Sequence, residues 1–314
     1  MKILFLGDIF ARPGREVVSE KLPSIKVEND IDLVIANIEN AAHGKGVTTK
    51  IIREMSEAGV DFFTSGNHIW RQKGIDQILD GDSPVIRPAN YPPRTPGQRY
   101  QIISSSKKFK SSPNPRETIK TQSQSNSQLQ TPNQKIESRI QSNPQPPTPN
   151  SQLSSSPNSQ PNFKVLIINL MGRVFIKENL DCPFRAVDEI LNTVSTDDYD
   201  FSVVDFHAEA SSEKEAMKHF LSGRVTALIG THTHVPTADA QIIDGTAYIT
   251  DVGMCGPADG VIGLEKESIL KQFLSQIPRR HEIASGARQI NAVIIDIDEL
   301  SRKAQNLQQI IIKT

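Results

Sequence analysis

The sequence is poor in cysteine, in net charge and in long apolar runs. Its two cysteines, Cys182 and Cys255, do not form a CxxC pair, which argues against a disulfide framework or a zinc knuckle. No apolar segment approaches the ~18 residues of a membrane span. The short apolar N-terminus is interrupted at Gly7 and Asp8, and no signal-peptide cleavage site follows. The net charge of −1 gives no sign of a polyanion-binding surface. We therefore expect a cytoplasmic protein with no membrane partner, and binding of nucleic acid stays open.

Residues 104–162 differ sharply in composition from the rest of the chain. They are mostly Ser, Gln, Asn and Pro with few large apolar side chains, so they cannot bury enough surface to offset the entropy of ordering. The flanking segments RYQII (99–103) and FKVLIINL (163–170) are strand-like. This pattern predicts a disordered low-complexity insertion in a β-hairpin, interrupting a single domain formed by residues 1–103 and 163–314.

The remaining sequence alternates short apolar runs with helical patterns. The apolar runs are mostly continuous, which is typical of strands buried on both faces. Thr48 and Ser212 are the expected N-caps of two of the helices. The predicted helices are Gly14–Asn29, Thr48–Ala58, Phe184–Thr193 and Ser212–Leu221. Together these patterns predict an α/β layered fold in which helices cover the β-structure.

Several predicted strands end in acidic, carboxamide or imidazole side chains. Ligands bind beyond the carboxyl ends of the strands in open α/β sheets. Taken singly, each such residue has an ordinary structural explanation, such as a turn asparagine or a core histidine. Their occurrence at successive strand ends favours one common site. The residues are Asp8, Glu39, Asn40, Asn67, His68, His207, His232 and His234.

Two of these histidines occupy alternate positions of the segment GTHTHV (230–235). On a strand end or an extended loop, side chains at i and i+2 point the same way, so His232 and His234 are expected to face one site. Carboxylate, carboxamide and imidazole donors without thiolate suit Mn²⁺, Fe or Zn²⁺. Two ions ~3.5–4 Å apart that share a carboxylate can clamp a phosphoryl oxygen and supply a bridging hydroxide for in-line attack.

The order of these motifs resembles that of the calcineurin-like metallophosphoesterases. The shared features are GD at Gly7, GNH at Gly66, the isolated His207 and the GTHTH segment. More narrowly, GDIFARPGR, ANIENAAHGKG, RPANYPPRTPG, NLMGRVF, VDFHAEA, GTHTHVPTAD and YITDVGM resemble the YmdB-like family of bacterial 2′,3′-cyclic-nucleotide phosphodiesterases. The resemblance covers roughly residues 1–103 and 163–298. It implies a layered metallophosphoesterase fold with β-sheets flanked by helices, and hydrolysis of 2′,3′-cyclic nucleotides to 3′-nucleotides.

The resemblance also implies a role for each donor. The ligands divide into Asp8 and His234 for the first ion, Asn67, His207 and His232 for the second, and Glu39 as the bridge. Phe10 stands where the broader superfamily has an imidazole ligand, and Asn40 fills or neighbours that place. An oxygen-rich first site favours two divalent or mixed-valence ions of Fe or Mn over Zn²⁺. His68 would be the general acid at the leaving oxygen, or else a donor that only orients the substrate.

Two other functions stay open at this stage. A broader phosphomonoesterase or RNA-end phosphatase could use the same two metals. Alternatively, the chain could be a regulatory protein that acts through partner binding, with residues 104–162 as a tether. Homo-oligomerisation stays open as well.

Overall fold

The computed structural model describes residues 1–106 and 162–314, so the predicted disordered insertion lies, apart from its ends, outside the described residues. Within these two ranges the chain forms thirteen strands and six α-helices. The strands are β1 (Lys2–Leu6), β2 (Asp8–Ile9), β3 (Leu33–Asn37), β4 (Phe62–Thr64), β5 (Tyr100–Ser106), β6 (Asn162–Met171), β7 (Phe201–His207), β8 (Ala227–Thr231), β9 (Gln241–Ile243), β10 (Thr246–Ile249), β11 (Met254–Pro257), β12 (Arg288–Ile297) and β13 (Ala304–Lys313). The helices are α1 (Ala11–Asn29), α2 (Thr49–Glu57), α3 (Ile75–Leu79), α4 (Pro183–Thr193), α5 (Ser211–Leu221) and α6 (Lys266–Ser275).

The strands form two mixed sheets. The first has the order β2-β11-β12-β1-β3-β4, with β13 paired to β12. In it β1, β3 and β4 run parallel, and β12 is antiparallel to β1, β11 and β13. The second sheet has the order β5-β6-β7-β8-β10-β9. Its four central strands are parallel, and each edge strand is antiparallel to its neighbour.

Apolar side chains of both sheets meet in a central core. Phe5 and Ile35 of the first sheet pack with Ile167 and Val203 of the second, and all four are fully buried. Burial of each such side chain contributes roughly 1.5–3 kcal/mol. The opposite face of the first sheet packs against α1, α2 and α3, and that of the second against α4 and α5. The predicted α/β layered arrangement of sheets flanked by helices is therefore confirmed.

The ends of the helices depart from the sequence prediction by a few residues. α1 begins at Ala11, so Pro13 lies within its first turn, where a missing N–H is tolerated. Thr48 is the N-cap of α2, since its Oγ1 accepts from the Ile51 amide at 3.4 Å. The predicted N-cap at Ser212 is wrong, because α5 starts one residue earlier and follows the extended Ala210. Among the helices of the described ranges, none has both the length and the apolar character needed to cross a membrane.

The predicted β-hairpin at the insertion is present. β5 and β6 pair antiparallel from Tyr100 with Ile168 up to Ser106 with Asn162. The strands thus extend slightly beyond the expected limits of 103 and 163. The two chain ends that border the undescribed segment are directly opposite each other across the strand pair.

Candidate metal centre

The predicted site residues lie at one end of the two sheets. In the first sheet they follow β1, β3 and β4, and in the second they end β7 or follow β8. Because parallel strands share a direction, their carboxyl ends meet at the same edge. The first sheet contributes Asp8, Glu39, Asn40, Asn67 and His68, and the second contributes His207, His232 and His234.

Three donor side chains form the centre of the cluster. Oε1 of Glu39 lies 3.2 Å from Nε2 of His207, and the same nitrogen lies 3.0 Å from Nδ1 of His232. One ligand atom from each of these residues lies within 4.8 Å of the others. Oδ1 of Asn67 is 3.3 Å from Nε2 of His207. Carboxylate, imidazole and carboxamide donors therefore point at one small volume.

Asn40 connects this centre to two further histidines. Its Nδ2 lies 3.1 Å from Oε1 of Glu39 and 3.1 Å from Nε2 of His234. Its Oδ1 lies 2.8 Å from Nδ1 of His68, whose backbone N–H donates to Oε2 of Glu39 at 2.8 Å. Glu39 thus contacts His207 on one side and the pair Asn40 and His68 on the other.

Asp8 is a fully buried carboxylate with an unsatisfied oxygen. Its Oδ2 accepts from the backbone N–H of His232 at 3.2 Å, but among the described residues its Oδ1 has no hydrogen-bond partner. Burial, together with the nearby carboxylates of Glu39 and Asp251, raises the pKa of Asp8 to about 8. A buried anionic oxygen is costly unless a cation or a donor compensates it. The position of Asp8 therefore suits a metal ligand.

The histidines of the cluster differ in their affinity for a proton. Burial acts to lower the pKa of His207, but Glu39 and Asp8 outweigh it and raise that pKa to about 9. Burial and the charge on His207 lower the pKa of His232 to about 3. Burial opposes ionisation of Glu39, but His207 and His68 hold its pKa well below the usual value. The carboxylates thus attract positive charge, and His232 stays a neutral imidazole, the form that binds metals.

The backbone of the GTHTH segment corrects one step of the sequence argument. β8 ends at Thr231, and His232 and His234 have φ values of 100° and 67°. Both are therefore left-handed, whereas the expectation was extended backbone. Left-handed backbone is rare for residues other than glycine and is strained. The two imidazoles reach the same cluster through this bent loop and not through strand alternation.

A buried ion pair holds this loop in place. Nζ of Lys214 in α5 donates to Asp251 at 2.7 Å and to the carbonyl of Thr231 at 2.8 Å. The same oxygen of Asp251 accepts from the amide of Thr233 at 3.0 Å. Both charged side chains are 1% exposed. Neither was predicted from the sequence, where Lys214 lies among the solvent-facing residues of a helical pattern.

The glycine of the GNH motif is required by close approach. A Cβ at Gly66 would lie 2.3 Å from Nε2 of His207 and 2.5 Å from Oε2 of Glu39. Any side chain there would displace the donors. The motif therefore places Asn67 and His68 next to a residue that lets the backbone pass directly against the cluster.

A second set of polar residues, also missed, lies behind His207. Asp205 is fully buried and accepts hydrogen bonds from Thr231, Thr64 and Asn37. Its burial in an apolar strand raises its pKa, against those three bonds. A charged residue inside a continuous apolar run was the available sequence signal, since buried charges are rare without partners. The structure brings all eight predicted residues into one contact network, and their binding of two ions stays a prediction.

Comparison with known proteins gives matches over nearly the whole chain. The family model described as YmdB-like protein matches residues 4–150 and 145–310. The 2′,3′-cyclic-nucleotide 2′-phosphodiesterase of Bacillus subtilis (strain 168) is 36% identical over 314 residues, which cover 99% of this chain and 97% of the relative. A crystal structure of a hypothetical protein from Thermus thermophilus has a TM-score of 0.75 at 34% identity, covering 100% of this chain and 99% of the other. A novel phosphatase from Mycoplasma pneumoniae has a TM-score of 0.77 at 30% identity, covering 100% and 93%. This likeness confirms the predicted metallophosphoesterase fold.

Proposed function

The chain belongs to the YmdB-like family, and on that basis we propose that it is a metal-dependent phosphodiesterase that opens 2′,3′-cyclic nucleotides to 3′-nucleotides. The observation that carries the proposal is the convergence of Glu39, His207 and His232 within 4.8 Å beside Oδ1 of Asp8, which has no hydrogen-bond partner among the described residues and lies 3.8 Å from Nδ1 of His207. Such a donor set is suited to a hard or borderline cation.

Two ions of Mn or Fe are proposed to bind here. The proposed ligands are Asp8 and His234 for the first ion, Asn67, His207 and His232 for the second, and Glu39 for both. Asn40 is proposed to neighbour the first ion, because its Oδ1 faces His68 and its Nδ2 faces Glu39 and His234. Glu39 lies between the two ligand sets, since its Oε1 is 3.2 Å from Nε2 of His207 and is linked through Nδ2 of Asn40 to His234; this position supports its role as the shared ligand. When bound, two such ions supply positive charge for the phosphoryl oxygens and acidify water for attack on phosphorus.

The electrostatics of the chain support the need for cations. Asp8 and Glu39 are both buried in the cluster, and a cyclic phosphodiester is itself an anion. Like charges at short range repel strongly where the dielectric constant is low. Cations in the cluster would replace the protons on Asp8 and His207 and balance the charge of Glu39, so that an anionic phosphodiester can approach.

His68 is proposed to be the general acid. Its Nδ1 is held by Oδ1 of Asn40 at 2.8 Å and by Oε1 of Glu39 at 3.2 Å. The side chain is 24% exposed, so Nε2 is the nitrogen available to substrate. Hydrolysis breaks the bond from phosphorus to the 2′-oxygen and leaves the phosphate on the 3′-oxygen. Because Nδ1 donates its hydrogen to Asn40, His68 would act as the doubly protonated imidazole. Nε2 gives its proton to the departing 2′-oxygen, and the oxygen of the attacking water takes the place of the 2′-oxygen on phosphorus.

The test is hydrolysis of 2′,3′-cyclic AMP by purified protein with added Mn²⁺. We expect 3′-AMP as the product and loss of activity in excess EDTA. 3′,5′-cyclic AMP and an RNA oligonucleotide with a 3′-phosphate are the comparison substrates. Faster release of phosphate from the RNA end than ring opening would favour the phosphatase hypothesis. Absence of hydrolysis of all three substrates would leave partner binding as the better explanation.

A further inference from the structure

Behind His207, three polar side chains converge on one buried carboxylate. Asp205 lies in β7, two residues before His207, and is 0% exposed. Its Oδ2 accepts from Oγ1 of Thr64 at 2.5 Å and from Nδ2 of Asn37 at 3.1 Å, and its Oδ1 accepts from Oγ1 of Thr231 at 2.6 Å. Thr231 connects this carboxylate to the imidazole of His207.

The protons of this group can be assigned by counting donors. A threonine hydroxyl has a single proton, and the short bond to Asp205 takes that of Thr231. Oγ1 of Thr231 also lies 3.0 Å from Nδ1 of His207, so here it must accept, and Nδ1 must carry a hydrogen. Nδ2 of Asn37 lies 3.4 Å from the same nitrogen, but its two protons point to the carbonyl oxygen of Ser65 at 3.3 Å and to Asp205.

We propose that Asp205 and Thr231 are positioning residues that keep a hydrogen on Nδ1 of His207, so that Nε2 is the nitrogen that gives up its hydrogen when a metal ion binds. The inference rests on the proposed function, because it takes His207 as a metal ligand. Nε2 does face the metal centre, at 3.2 Å from Oε1 of Glu39 and 3.3 Å from Oδ1 of Asn67. Partners of this kind behind a ligating histidine typically change metal affinity by ~10–100-fold.

The sharpest variant is Asp205→Asn, which keeps the shape of the side chain. The donors Thr64 and Asn37 remain, so the new carboxamide oxygen faces them and its NH₂ faces Thr231. The Thr231 hydroxyl then accepts that proton and turns its own toward Nδ1 of His207. The imidazole is driven to the tautomer with hydrogen on Nε2, where it blocks a metal. We expect the Mn²⁺ dissociation constant to rise at least ~10-fold.

Three companion variants separate positioning from simple stability. Thr231→Val removes the hydroxyl at nearly constant shape, whereas Thr231→Ser keeps it. Thr64→Val is the matched control, because it removes a buried hydrogen bond to the same carboxylate without touching His207. Titration calorimetry of Mn²⁺ into metal-free protein gives the affinity and the number of ions bound. Thermal unfolding in EDTA gives the stability of the same samples, and also shows whether Asp205→Asn is folded.

We expect Mn²⁺ affinity and thermal stability to change independently of each other. Both valine variants should lose thermal stability to a similar degree, while only Thr231→Val should lose Mn²⁺ affinity by ~10-fold or more, and Thr231→Ser should restore it. Equal affinity losses in Thr64→Val and Thr231→Val, or no loss in either, would overturn the assignment while leaving the proposed function intact. If the unmodified protein binds no Mn²⁺, the proposed function itself fails and the assignment fails with it.

Discussion

Replacement of Asp8 by Asn should stabilise the metal-free protein and weaken its response to metal. Folded Asp8 keeps its proton up to pH about 8, whereas the unfolded chain loses it near 3.8. Between these values the folded protein binds more protons than the unfolded chain, so the contribution of Asp8 to the free energy of unfolding falls as pH rises. The shift corresponds to roughly 6 kcal/mol at ~1.4 kcal/mol per pKa unit. Because Asp8 titrates together with Glu39 and His207, we expect ~3 kcal/mol of this to be seen.

Urea unfolding in EDTA at pH 5 and pH 8 tests this expectation. The difference between Asp8→Asn and the unmodified protein should grow by ~3 kcal/mol over that interval, because asparagine does not ionise. Mn²⁺ at ~100 times its dissociation constant should stabilise the unmodified protein by ~2.7 kcal/mol and the variant by less. Asp76→Asn, at an exposed position in α3, controls for loss of a surface carboxylate. Identical pH dependence of Asp8→Asn and unmodified protein would refute the claim that burial raises the pKa of Asp8.

Three further predictions follow from the same geometry. His68→Ala should lower kcat for 2′,3′-cyclic AMP by ~10²–10⁴-fold and leave the Mn²⁺ affinity measured by calorimetry unchanged. If kcat and Mn²⁺ affinity both fall, His68 is a metal ligand and not the general acid. Gly66→Ala should lower the free energy of unfolding by ~1–3 kcal/mol and reduce the number of Mn²⁺ ions bound, because its Cβ would lie 2.3 Å from His207. A free energy of unfolding and a Mn²⁺ stoichiometry equal to those of the unmodified protein would contradict this. Replacing residues 107–161 by Asn-Gly, which suits a two-residue hairpin, should leave kcat/KM and Tm unchanged, because Ser106 pairs with Asn162; a loss of activity would show that the segment takes part in function.

Much of the fold could be predicted from local sequence, but the division into two sheets could not. Strands of both sheets are buried on both faces and have the same continuous apolar pattern. The sheets are separated by pairing between distant segments, above all by β12, which lies between β1 and β11. The apolar run of β12 is as clear as those of the other strands, so the strand itself can be predicted from sequence, whereas its pairing cannot. β13 is mixed in polarity and half of its residues are exposed, so its sequence lacks the continuous apolar run that marks the other strands.

The candidate site was predictable to the extent that it follows from strand direction. Donors at the carboxyl ends of parallel strands had to converge, and Glu39, Asn67 and His207 do so. The conformation at His232 depends on Lys214 and on other residues distant in sequence, so no local pattern could give it. Asp205 and its hydrogen-bonded neighbours were missed for a different reason, because residues inside a strand are first interpreted as core.

The left-handed backbone at His232 and His234 lowers the stability of the fold but places two imidazoles in the site. Glycine adopts such φ values freely, whereas a residue with a Cβ pays on the order of 1 kcal/mol or more at each position. A laboratory selection that rewarded heat resistance alone would therefore erode these two imidazoles early, since the replacements that relax the loop cannot hold an ion. Efforts to make the protein more robust belong in the helices and sheet edges, where the backbone is not under this constraint.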